Sequence, residues 1–305
     1  MRKTVIQVLG PTGSGKTRVA LAVARAMSSE IISADSVQVY RGFDIGTDKL
    51  PPAARSDVPH HLIDIIADCE QFNASKFLAL SYAAAGGIWA RGRVPVACGG
   101  TALYLRVMMQ GIFPENKSDN RRGELEAAAA NKGWDSLFRE LQAVDPVYAR
   151  KIGANDRVRL VRALEIYRNS GLPPSEAFRL SRSPFAGCRF IRVGLDVERR
   201  QLYRHIDARV ERMLAAGLVA EVEGLLKLHP PSCPPFRSLG YKEILGLLRG
   251  ETDLATATEL IQRHSRQFAK RQLSWFRQEK DIRWFAADDE SAIIGFIKKC
   301  LTNEQ

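Results

Sequence analysis

The sequence predicts an α/β fold: a parallel sheet that carries a P-loop, a glycine-rich phosphate-binding loop, together with a mainly helical insertion domain. Three observations lead to this prediction. Short apolar runs alternate with helix-like segments through residues 4–112, an order that is typical of parallel sheets. A glycine-rich loop directly follows the first apolar run. Beyond Gly111, helix-favouring composition dominates until a cluster of glycine and proline at 171–174.

The elements of the first 112 residues follow from their apolar patterns. Thr4–Leu9 is a short apolar run that ends at Gly10, which predicts a buried strand. Residues 18–27 repeat apolar side chains at helical spacing, which predicts a helix. The next predicted elements are a strand, a helix and a strand: residues 31–34, 77–90 and 94–98.

The chain is then predicted to leave the core and to return to it. Alanine and glutamate are concentrated at 124–131, and the apolar run at 190–195 is typical of a strand. The predicted domains are therefore a P-loop core and a helical insertion, with these bounds: 1–112 and 191–305 for the core, 113–190 for the insertion.

Two long amphipathic helices are predicted near the C-terminus, at 199–228 and 256–279, with a proline-rich break between them. In the second of these helices the spacing predicts that Ile261, Phe268 and Trp275 are buried.

Composition indicates a globular protein with a polyanionic partner. The 305 residues include 45 Lys and Arg against 34 Asp and Glu, a net charge of +11. This balance suits nucleic acid or a phosphorylated small molecule. Apolar runs stay short of the roughly 18 residues of a membrane span, so we expect no membrane association. The glycine loop occupies the place where a signal peptide would be cleaved, so we expect a cytoplasmic protein.

The cysteines are far apart in sequence and form no CxxC pair, which argues against a zinc site and against a disulfide scaffold. We expect all five to be reduced, structural thiols: Cys69, Cys98, Cys188, Cys233 and Cys300.

The loop after the first strand matches the pattern GxxxxGK[ST] at every position. Small residues let backbone N–H groups converge on phosphate oxygens at a helix N-terminus. Lys16 adds a positive charge, and the Thr17 hydroxyl is placed to ligate Mg²⁺, the expected cofactor. The matching residues are Gly10, Pro11, Thr12, Gly13, Ser14, Gly15, Lys16 and Thr17.

The kind of phosphate ligand is a separate question. A nucleotide hydrolase usually carries a strand that ends in a metal-binding Asp. The corresponding strand here ends in Gly99, Gly100 and Thr101. This departure weakens an ATPase interpretation and leaves a diphosphate substrate open.

A carboxylate, Asp35, follows the second predicted strand. In open α/β sheets, ligands bind at the carboxyl ends of the strands, so Asp35 is placed to accept a proton from a substrate. Ser36 or Gln38 could hydrogen-bond the edge of a base. A helix-capping or turn role for Asp35 is the alternative.

Along nearly its whole length the sequence resembles the bacterial tRNA dimethylallyltransferases (tRNA isopentenyltransferases). The P-loop alone is generic, but the set of matching segments in this order is specific. These segments are GPTGSGKT at 10–17, DSVQVYRGFDIGTDK at 35–49, PHHLID at 59–64, GGTALYLR at 99–106, NDRVRLVRALEIY at 155–167, GYKEI at 240–244 and RQFAKRQLSWFR at 266–277.

The resemblance implies transfer of a dimethylallyl group from dimethylallyl diphosphate to N6 of adenosine-37, beside the anticodon of tRNAs that read codons beginning with U. Lys16, the loop amides and Mg²⁺ would stabilise the departing diphosphate. Asp35 would accept a proton from the adenine amine, and Thr101 resembles a residue at the same reaction centre. Because the target base is stacked in the anticodon loop, it must be extruded.

The resemblance also implies a set of tRNA contacts. Arg159 and Arg162 share one face of a predicted helix, whose opposite face is apolar. Residues 150–212 contain fifteen basic and seven acidic residues, a local net charge of +8, although a solvated charged face is the alternative. The implied contacts are Asp35, Ser36, Val37, Gln38, Thr101, Arg122, Val158, Arg159, Leu160, Val161 and Arg162.

One segment departs from the family pattern. Relatives commonly carry RxxLYxRIxxRV, with arginines near the diphosphate, where this chain keeps Arg199 and Arg209 but has His205 at the middle arginine. We expect Arg199 and His205 to contact the diphosphate. Histidine titrates near neutral pH, so substrate affinity is then expected to fall as pH rises. The alternative is that Arg204 takes the place of the missing arginine.

Other functions remain open at this point. An adenylate dimethylallyltransferase would use free AMP, but it needs no basic helical insertion. A P-loop kinase is disfavoured by the missing strand-end Asp, and a non-catalytic RNA-binding protein would use the loop as an ATP switch. The chain ends without the zinc-finger extension of eukaryotic relatives, which favours a bacterial cytoplasmic form, and we expect a monomer.

Overall fold

A computed structural model describes residues 2–67, 69–114 and 121–302. Contacts divide the chain into two compact units. The core unit comprises Met1–Met109 and Gly187–Gln305, and the inserted unit comprises Gln110–Ala186. The sequence predicted an insertion of residues 113–190.

The core unit is built on one six-stranded sheet with the order β3-β2-β4-β1-β5-β6. Every neighbouring pair of strands is parallel, which confirms the predicted α/β class. The strands are β1 (Thr4–Leu9), β2 (Ile31–Ser33), β3 (His60–His61), β4 (Val96–Gly99), β5 (Arg189–Asp196) and β6 (Arg283–Ala286). The four strands that the sequence predicts are β1, β2, β4 and β5.

The helices are, in chain order, α1 (Lys16–Ala26), α2 (Ala74–Ala90), α3 (Ala102–Gln110), α4 (Arg121–Lys132), α5 (Trp134–Val144), α6 (Pro146–Ala149), α7 (Arg157–Ser170), α8 (Pro174–Ala177), α9 (Arg199–Ala215), α10 (Leu218–Leu228), α11 (Tyr241–Leu248), α12 (Leu254–Gln278) and α13 (Glu290–Thr302). Short 3₁₀ turns occupy Pro52–Arg55, Phe178–Leu180 and Pro234–Arg237.

Strand β1 lies in the middle of the sheet, and all six of its residues are buried. On one face its side chains pack with Val19 and Val23 of α1 and with Ile293 and Ile297 of α13. Burial on both faces explains why β1 is mostly apolar and why it is readily predicted. The P-loop that follows it is therefore anchored to the most buried strand of the sheet.

The long helix predicted at 199–228 is in fact two helices, α9 and α10. Gly217 separates them with a left-handed backbone, φ 97° and ψ 31°, that side chains other than glycine rarely adopt. Apolar residues continue at helical spacing on both sides of this break, so the periodicity hides it.

The inserted unit has its own apolar core. Helices α4, α5 and α7 contribute fully buried side chains to it, including Leu125, Leu141, Leu160 and Leu164. Asp145 is also buried, and its carboxylate accepts hydrogen bonds from two backbone N–H groups, those of Tyr148 at 2.8 Å and Ser175 at 2.6 Å.

The prediction that all five cysteines are free is wrong, because Cys69 and Cys233 form a disulfide. They are 164 residues apart in sequence, yet their Cα atoms lie 4.8 Å apart. Spacing along the chain carries no information about such a long-range contact. The free cysteines of the described chain are Cys98, Cys188 and Cys300.

Among the helices of residues 2–67, 69–114 and 121–302, none combines the length and the apolar character that are needed to cross a membrane.

Candidate active site

The carboxyl ends of β1, β2 and β4 open into a cavity of about 1190 Å³, called the main cavity below. Its lining comes from the P-loop, from residues 35–38 after β2, from residues 98–101 at the end of β4, and from one side of α9 and α12. A parallel sheet binds ligands at this edge because loops from adjacent strands meet there. The P-loop and Asp35 therefore face one space, as the sequence predicts.

Lys16 is held in the P-loop by a hydrogen bond from its Nζ to the carbonyl oxygen of Pro11, at 2.6 Å. Burial lowers the pKa of Lys16 to about 8, because a low-dielectric surrounding disfavours the ammonium ion, and the charge of Arg209 adds to the effect. A bound polyphosphate restores the preference for the charged form. Lys16 is thus poised to gain electrostatic energy from an anion in the main cavity.

Helix α9 supplies two further side chains to the P-loop. The ring nitrogen Nδ1 of His205 lies 3.3 Å from the carbonyl oxygen of Gly13. The guanidinium of Arg209 donates to the hydroxyl of Thr12 and also pairs with Asp48, with Nε 3.1 Å from Oδ2. One helical turn separates the two residues, so they share a face of α9.

Arg199 lies outside the lining of the main cavity, and its contact with the diphosphate stays a prediction. Its Nε donates to the hydroxyl of Tyr203 at 3.1 Å, and its guanidinium lies over that ring. It precedes His205 by six positions, which turns it to another side of α9. It lines a neighbouring cavity of about 600 Å³.

Asp35 has a turn role and an open oxygen at once. Its Oδ1 accepts from the backbone N–H groups of Val37 at 2.8 Å and Gln38 at 3.1 Å, which fixes the carboxylate at the end of β2. Both backbone bonds use the same oxygen, so Oδ2 can accept from a substrate amine. The side chain of Gln38 bridges Ser33 and the carbonyl of Thr47, and Ser36 is exposed at the cavity wall.

Thr101 is brought next to Asp35 by the close approach of β2 and β4. Its backbone N–H donates to the carbonyl of Ala34 at 3.3 Å. A Cβ atom at Gly99 would lie 2.1 Å from the oxygen of Ala34, so only glycine permits this approach. The carbonyl of Thr101 accepts from the N–H of Tyr104 at 2.9 Å, which places it at the start of α3.

Gln272, on α12, is a site residue that sequence reasoning missed. Its side-chain N–H donates to the carbonyl of Gly100 at 2.7 Å, and its oxygen accepts from the N–H of Thr12 at 2.8 Å. One buried amide thus joins the P-loop to the loop that carries Thr101. The signal for it was the RQFAKRQLSWFR segment, in which Gln272 lies.

Phe268, on the same helix, was predicted to be buried. It is partly exposed and lines the main cavity. Ile261 is buried as predicted, and Trp275 is half-buried, with the guanidinium of Arg106 4.4 Å from its ring centre. An apolar side chain at helical spacing can face a cavity as well as a core.

The predicted tRNA-contact residues of the inserted unit divide into two groups. Val158, Arg159 and Arg162 are exposed or partly exposed on α7, where the two arginines pair with nearby carboxylates. The side chains of Leu160 and Val161 are buried in the core of the inserted unit, and the contact of these two residues with tRNA stays a prediction. Residues three or four apart share a face of a helix, which places Arg162 on the same outer side as Val158 and Arg159.

Arg122, the remaining predicted contact, is exposed on α4. Its guanidinium pairs with Glu126, one helical turn further along, with Nε 3.0 Å from Oε1. Such an exposed pair is weak and can be exchanged for a phosphate contact.

The chemistry of the cavity wall fits a magnesium ion. Mg²⁺ prefers oxygen ligands and is held in phosphate sites by a few protein oxygens together with the substrate. Thr17, in the first turn of α1, lines the main cavity and carries a hydroxyl. Three carboxylates line the same cavity, those of Asp35, Asp48 and Asp288.

Comparisons with known proteins show the family of the chain. A model of the IPP transferase family matches residues 38–279, and a model described as isopentenyl transferase matches residues 3–54. The chain is 44% identical over 294 residues to tRNA dimethylallyltransferase 2 of Geotalea uraniireducens, covering 95% of this chain and 94% of the relative. It is 45% identical to the tRNA dimethylallyltransferase of Geobacter metallireducens, with 92% and 91% covered.

Solved structures give the same result. The tRNA isopentenylpyrophosphate transferase of Bacillus halodurans superposes with a TM-score of 0.73 at 34% identity, covering 99% of this chain and 98% of that one. A eukaryotic dimethylallyltransferase, described as acting on tRNA, gives a TM-score of 0.79 at 29% identity, with 95% and 75% covered. The family match, the near-complete coverage and the shared fold lead to one conclusion: the chain belongs to the IPP transferase family.

Proposed function

We propose that this chain is a prenyltransferase that moves the dimethylallyl group of dimethylallyl diphosphate onto N6 of an adenosine in tRNA. The observation that carries the proposal is that a phosphate-binding loop and an oriented carboxylate, Asp35, open into one cavity. Such a pair can stabilise a leaving diphosphate and accept the proton of an attacking amine. The relatives that are named tRNA dimethylallyltransferases support the same reaction.

In the reaction a carbon–nitrogen bond forms as the carbon–oxygen bond to diphosphate breaks. Negative charge develops on the diphosphate, where the P-loop amides, Lys16, His205 and Arg209 can meet it. A magnesium ion held by Thr17 and the phosphate oxygens would neutralise part of this charge.

The nucleophile is weak, because the lone pair of the N6 amine is delocalised into the adenine ring. Asp35 accepts one of the two amine hydrogens through Oδ2, which orients the amine and takes up the proton that is released. The backbone bonds to Oδ1 prevent the carboxylate from turning away. Thr101, at the neighbouring strand end, is in place to position the same amine.

Recognition of the tRNA is assigned to the exposed basic residues of the inserted unit and to residues 35–38. Arg159, Arg162 and Arg122 offer guanidinium groups to the phosphates of the anticodon stem-loop. The target base has to leave its stack to enter a cavity. We further propose adenosine-37 of tRNAs that read codons beginning with U as the site, the cytoplasm as the location, and a monomer as the working form.

Radiolabelled dimethylallyl diphosphate tests the proposal. Label should enter tRNA transcripts that carry adenosine-37 and should not enter AMP or transcripts with guanosine at position 37. Incorporation into AMP at a comparable rate would instead make the chain an adenylate dimethylallyltransferase. Robust tRNA-dependent ATP hydrolysis would favour a nucleotide-driven function, which the absence of an Asp at the end of β4 already disfavours.

A further inference from the structure

A side-chain cluster of the core unit stands apart from the reaction described above. The sulfur atoms of Cys69 and Cys233 and a ring nitrogen of His229 all lie within 4.8 Å of one another. Cys69 precedes α2, whereas His229 and Cys233 belong to the turn between α10 and α11. We propose that this cluster is a zinc site, which is formed when Cys69 and Cys233 are reduced and is abolished when they are joined as a disulfide.

The donor set is the one that Zn²⁺ prefers. Structural and catalytic zinc sites use cysteine thiolates at about 2.3 Å and histidine nitrogens at about 2.0–2.1 Å. The ligand atoms of a tetrahedral zinc are therefore roughly 3.5–3.8 Å apart. Reduction breaks the bond between the two sulfurs, which must then separate to this spacing, and the ring nitrogen of His229, within 4.8 Å of both, completes the set. A water molecule completes the fourth position.

The spacing of the ligands along the chain adds a second observation. His229 and Cys233 are separated by three residues, within the range of short chelating pairs in zinc sites. Cys69 is supplied by the fold, which is why the sequence alone argues against metal binding. The ring of His229 is stacked on Phe43, with ring centres 6.0 Å apart and planes 30° apart, and this contact restrains the imidazole beside the sulfurs.

The surroundings favour a neutral metal complex over free thiolates. Cys233 is buried, and both cysteines belong to the apolar cluster that includes Phe43 and Phe236. Two thiolates, one neutral imidazole and one Zn²⁺ sum to zero charge, which an apolar surrounding tolerates. Thiolates without a metal would carry a large desolvation free energy in this apolar surrounding. We therefore expect both thiols to lose their protons only when the metal binds.

The zinc and disulfide forms exclude each other. A disulfide has no thiolate to donate, and its opening takes two electrons and two protons, which a dithiol or phosphine reductant supplies. Zinc then binds as the two thiol protons leave. In either form the bond fixes the segment around Cys69 to the turn around Cys233.

This link packs in the same apolar cluster as Tyr40 and Phe43. Tyr40 and Phe43 follow Asp35 on the same segment. The hydroxyl of Tyr40 donates to the carbonyl of Glu70, and the N–H of Phe72 donates to that hydroxyl, which ties the segment to the residues directly after Cys69. A bound zinc ion would therefore stabilise the segment that follows Asp35, and the ion itself would not contact substrate.

Metal titration of the reduced, full-length protein tests the proposal. After treatment with a phosphine reductant and its removal, Zn²⁺ is titrated against a chromophoric chelator, and Co²⁺ is used as a spectroscopic probe. We expect one equivalent of tightly bound Zn²⁺, and a thiolate-to-Co²⁺ charge-transfer band with the intense visible bands of a tetrahedral site. Oxidised protein should show neither.

Variants identify the ligands. His229→Ala, Cys69→Ser and Cys233→Ser should each weaken Zn²⁺ binding by more than ~10-fold, since even partners outside the ligand set cost 10–100-fold. Cys188→Ser and Cys300→Ser are the matched controls and should bind Zn²⁺ as the wild type does. His229→Ala retains both cysteines, so it stays informative if a cysteine variant does not fold. Reduced wild type without a charge-transfer band, or His229→Ala with undiminished affinity, would overturn the zinc site. Neither result bears on prenyl transfer, which is assayed separately.

Discussion

At the scale of single residues, the turn role of Asp35 and its proposed role as proton acceptor use different oxygens, and one substitution separates the two roles. Asp35→Asn keeps an oxygen for the N–H groups of Val37 and Gln38 but puts an amide donor where the substrate proton would go. We expect kcat to fall by at least ~10²-fold while tRNA affinity is retained. Steady-state kinetics with filter-binding measurements check this. Asp35→Ala is the companion variant. It should also lose stability, because the hydrogen bonds from the N–H groups of Val37 and Gln38 to the carboxylate are lost. Wild-type turnover by Asp35→Asn would remove Asp35 as the proton acceptor.

Lys16 should make the affinity for dimethylallyl diphosphate fall at alkaline pH. Burial lowers the pKa of Lys16 to about 8, so the side chain is charged below that pH and increasingly neutral above it. Affinity for dimethylallyl diphosphate is therefore expected to decrease as pH rises from 7.5 to 9.5, by calorimetry on the free protein. Lys16→Met should bind dimethylallyl diphosphate more weakly over this whole pH range, and its affinity should not decrease as pH rises. An unchanged slope in Lys16→Met would show that another group titrates.

His205 is a second side chain at the P-loop whose role can be tested. Its ring nitrogen Nδ1 lies 3.3 Å from the carbonyl oxygen of Gly13, at the position where the family pattern has an arginine. Because arginine is always charged, His205→Arg should bind dimethylallyl diphosphate more tightly at pH 8. Arg204 is exposed and lies outside the lining of the main cavity, so Arg204→Ala is the control and should leave the KM unchanged. Equal KM values for wild type and His205→Arg at pH 8 would exclude His205 from the diphosphate site.

At the scale of elements, apolar periodicity predicts interior strands and long helices well and fails at edges and breaks. The strands β1, β2, β4 and β5 are apolar because neighbours cover them on both sides. The edge strands β3 and β6 are short and only partly buried, so they lack the apolar run that would predict them. The break at Gly217 is a matter of one backbone angle, which leaves no trace in the pattern of apolar residues.

Two glycine substitutions in the same region should have opposite effects. Gly217 has φ 97° with open space around its missing Cβ, so Gly217→Ala should destabilise the protein by ~1–2 kcal/mol through backbone strain alone. Gly224 lies within α10, also with open space, and Gly224→Ala should stabilise by ~0.5–1 kcal/mol. Urea denaturation measures both changes in the free energy of unfolding. Equal effects would mean that the α9–α10 break does not depend on the left-handed glycine.

At the scale of the whole molecule, the sequence predicts the fold class, the P-loop and Asp35 through local patterns. It does not reveal the contacts that cross the chain. Gln272 meets Thr12 across 260 residues, and Cys69 meets Cys233 across 164. Such contacts depend on the complete packing of the core unit. The resemblance to a family identifies matching segments of sequence, but it does not show which residues of these segments touch each other.

The basic face of the inserted unit should give tRNA binding its salt dependence. Each phosphate contact releases condensed counterions, and the slope of log K against log salt falls by ~0.7–0.9 per lost contact. Arg159→Ala combined with Arg162→Ala should raise the KM for tRNA and flatten that slope by about 1.5. Arg249→Ala with Lys227→Ala removes the same charge from the core unit outside the main cavity, and the slope should not change. An unchanged slope in the Arg159 and Arg162 variant would place the two arginines away from the phosphates.

The central position of β1 also sets the order in which the protein can fold during synthesis. Its two sheet neighbours are β4, which begins at Val96, and β5, which begins at Arg189. Ribosomes add about 5–20 residues per second, so β1 waits roughly 10–40 s before β5 is made. Throughout that interval the strand that carries the P-loop has an unpaired apolar edge, which is prone to wrong pairing with other chains. The nascent chain should therefore depend on chaperones more than the finished protein does, and overproduction at high temperature should yield aggregates that begin at this strand.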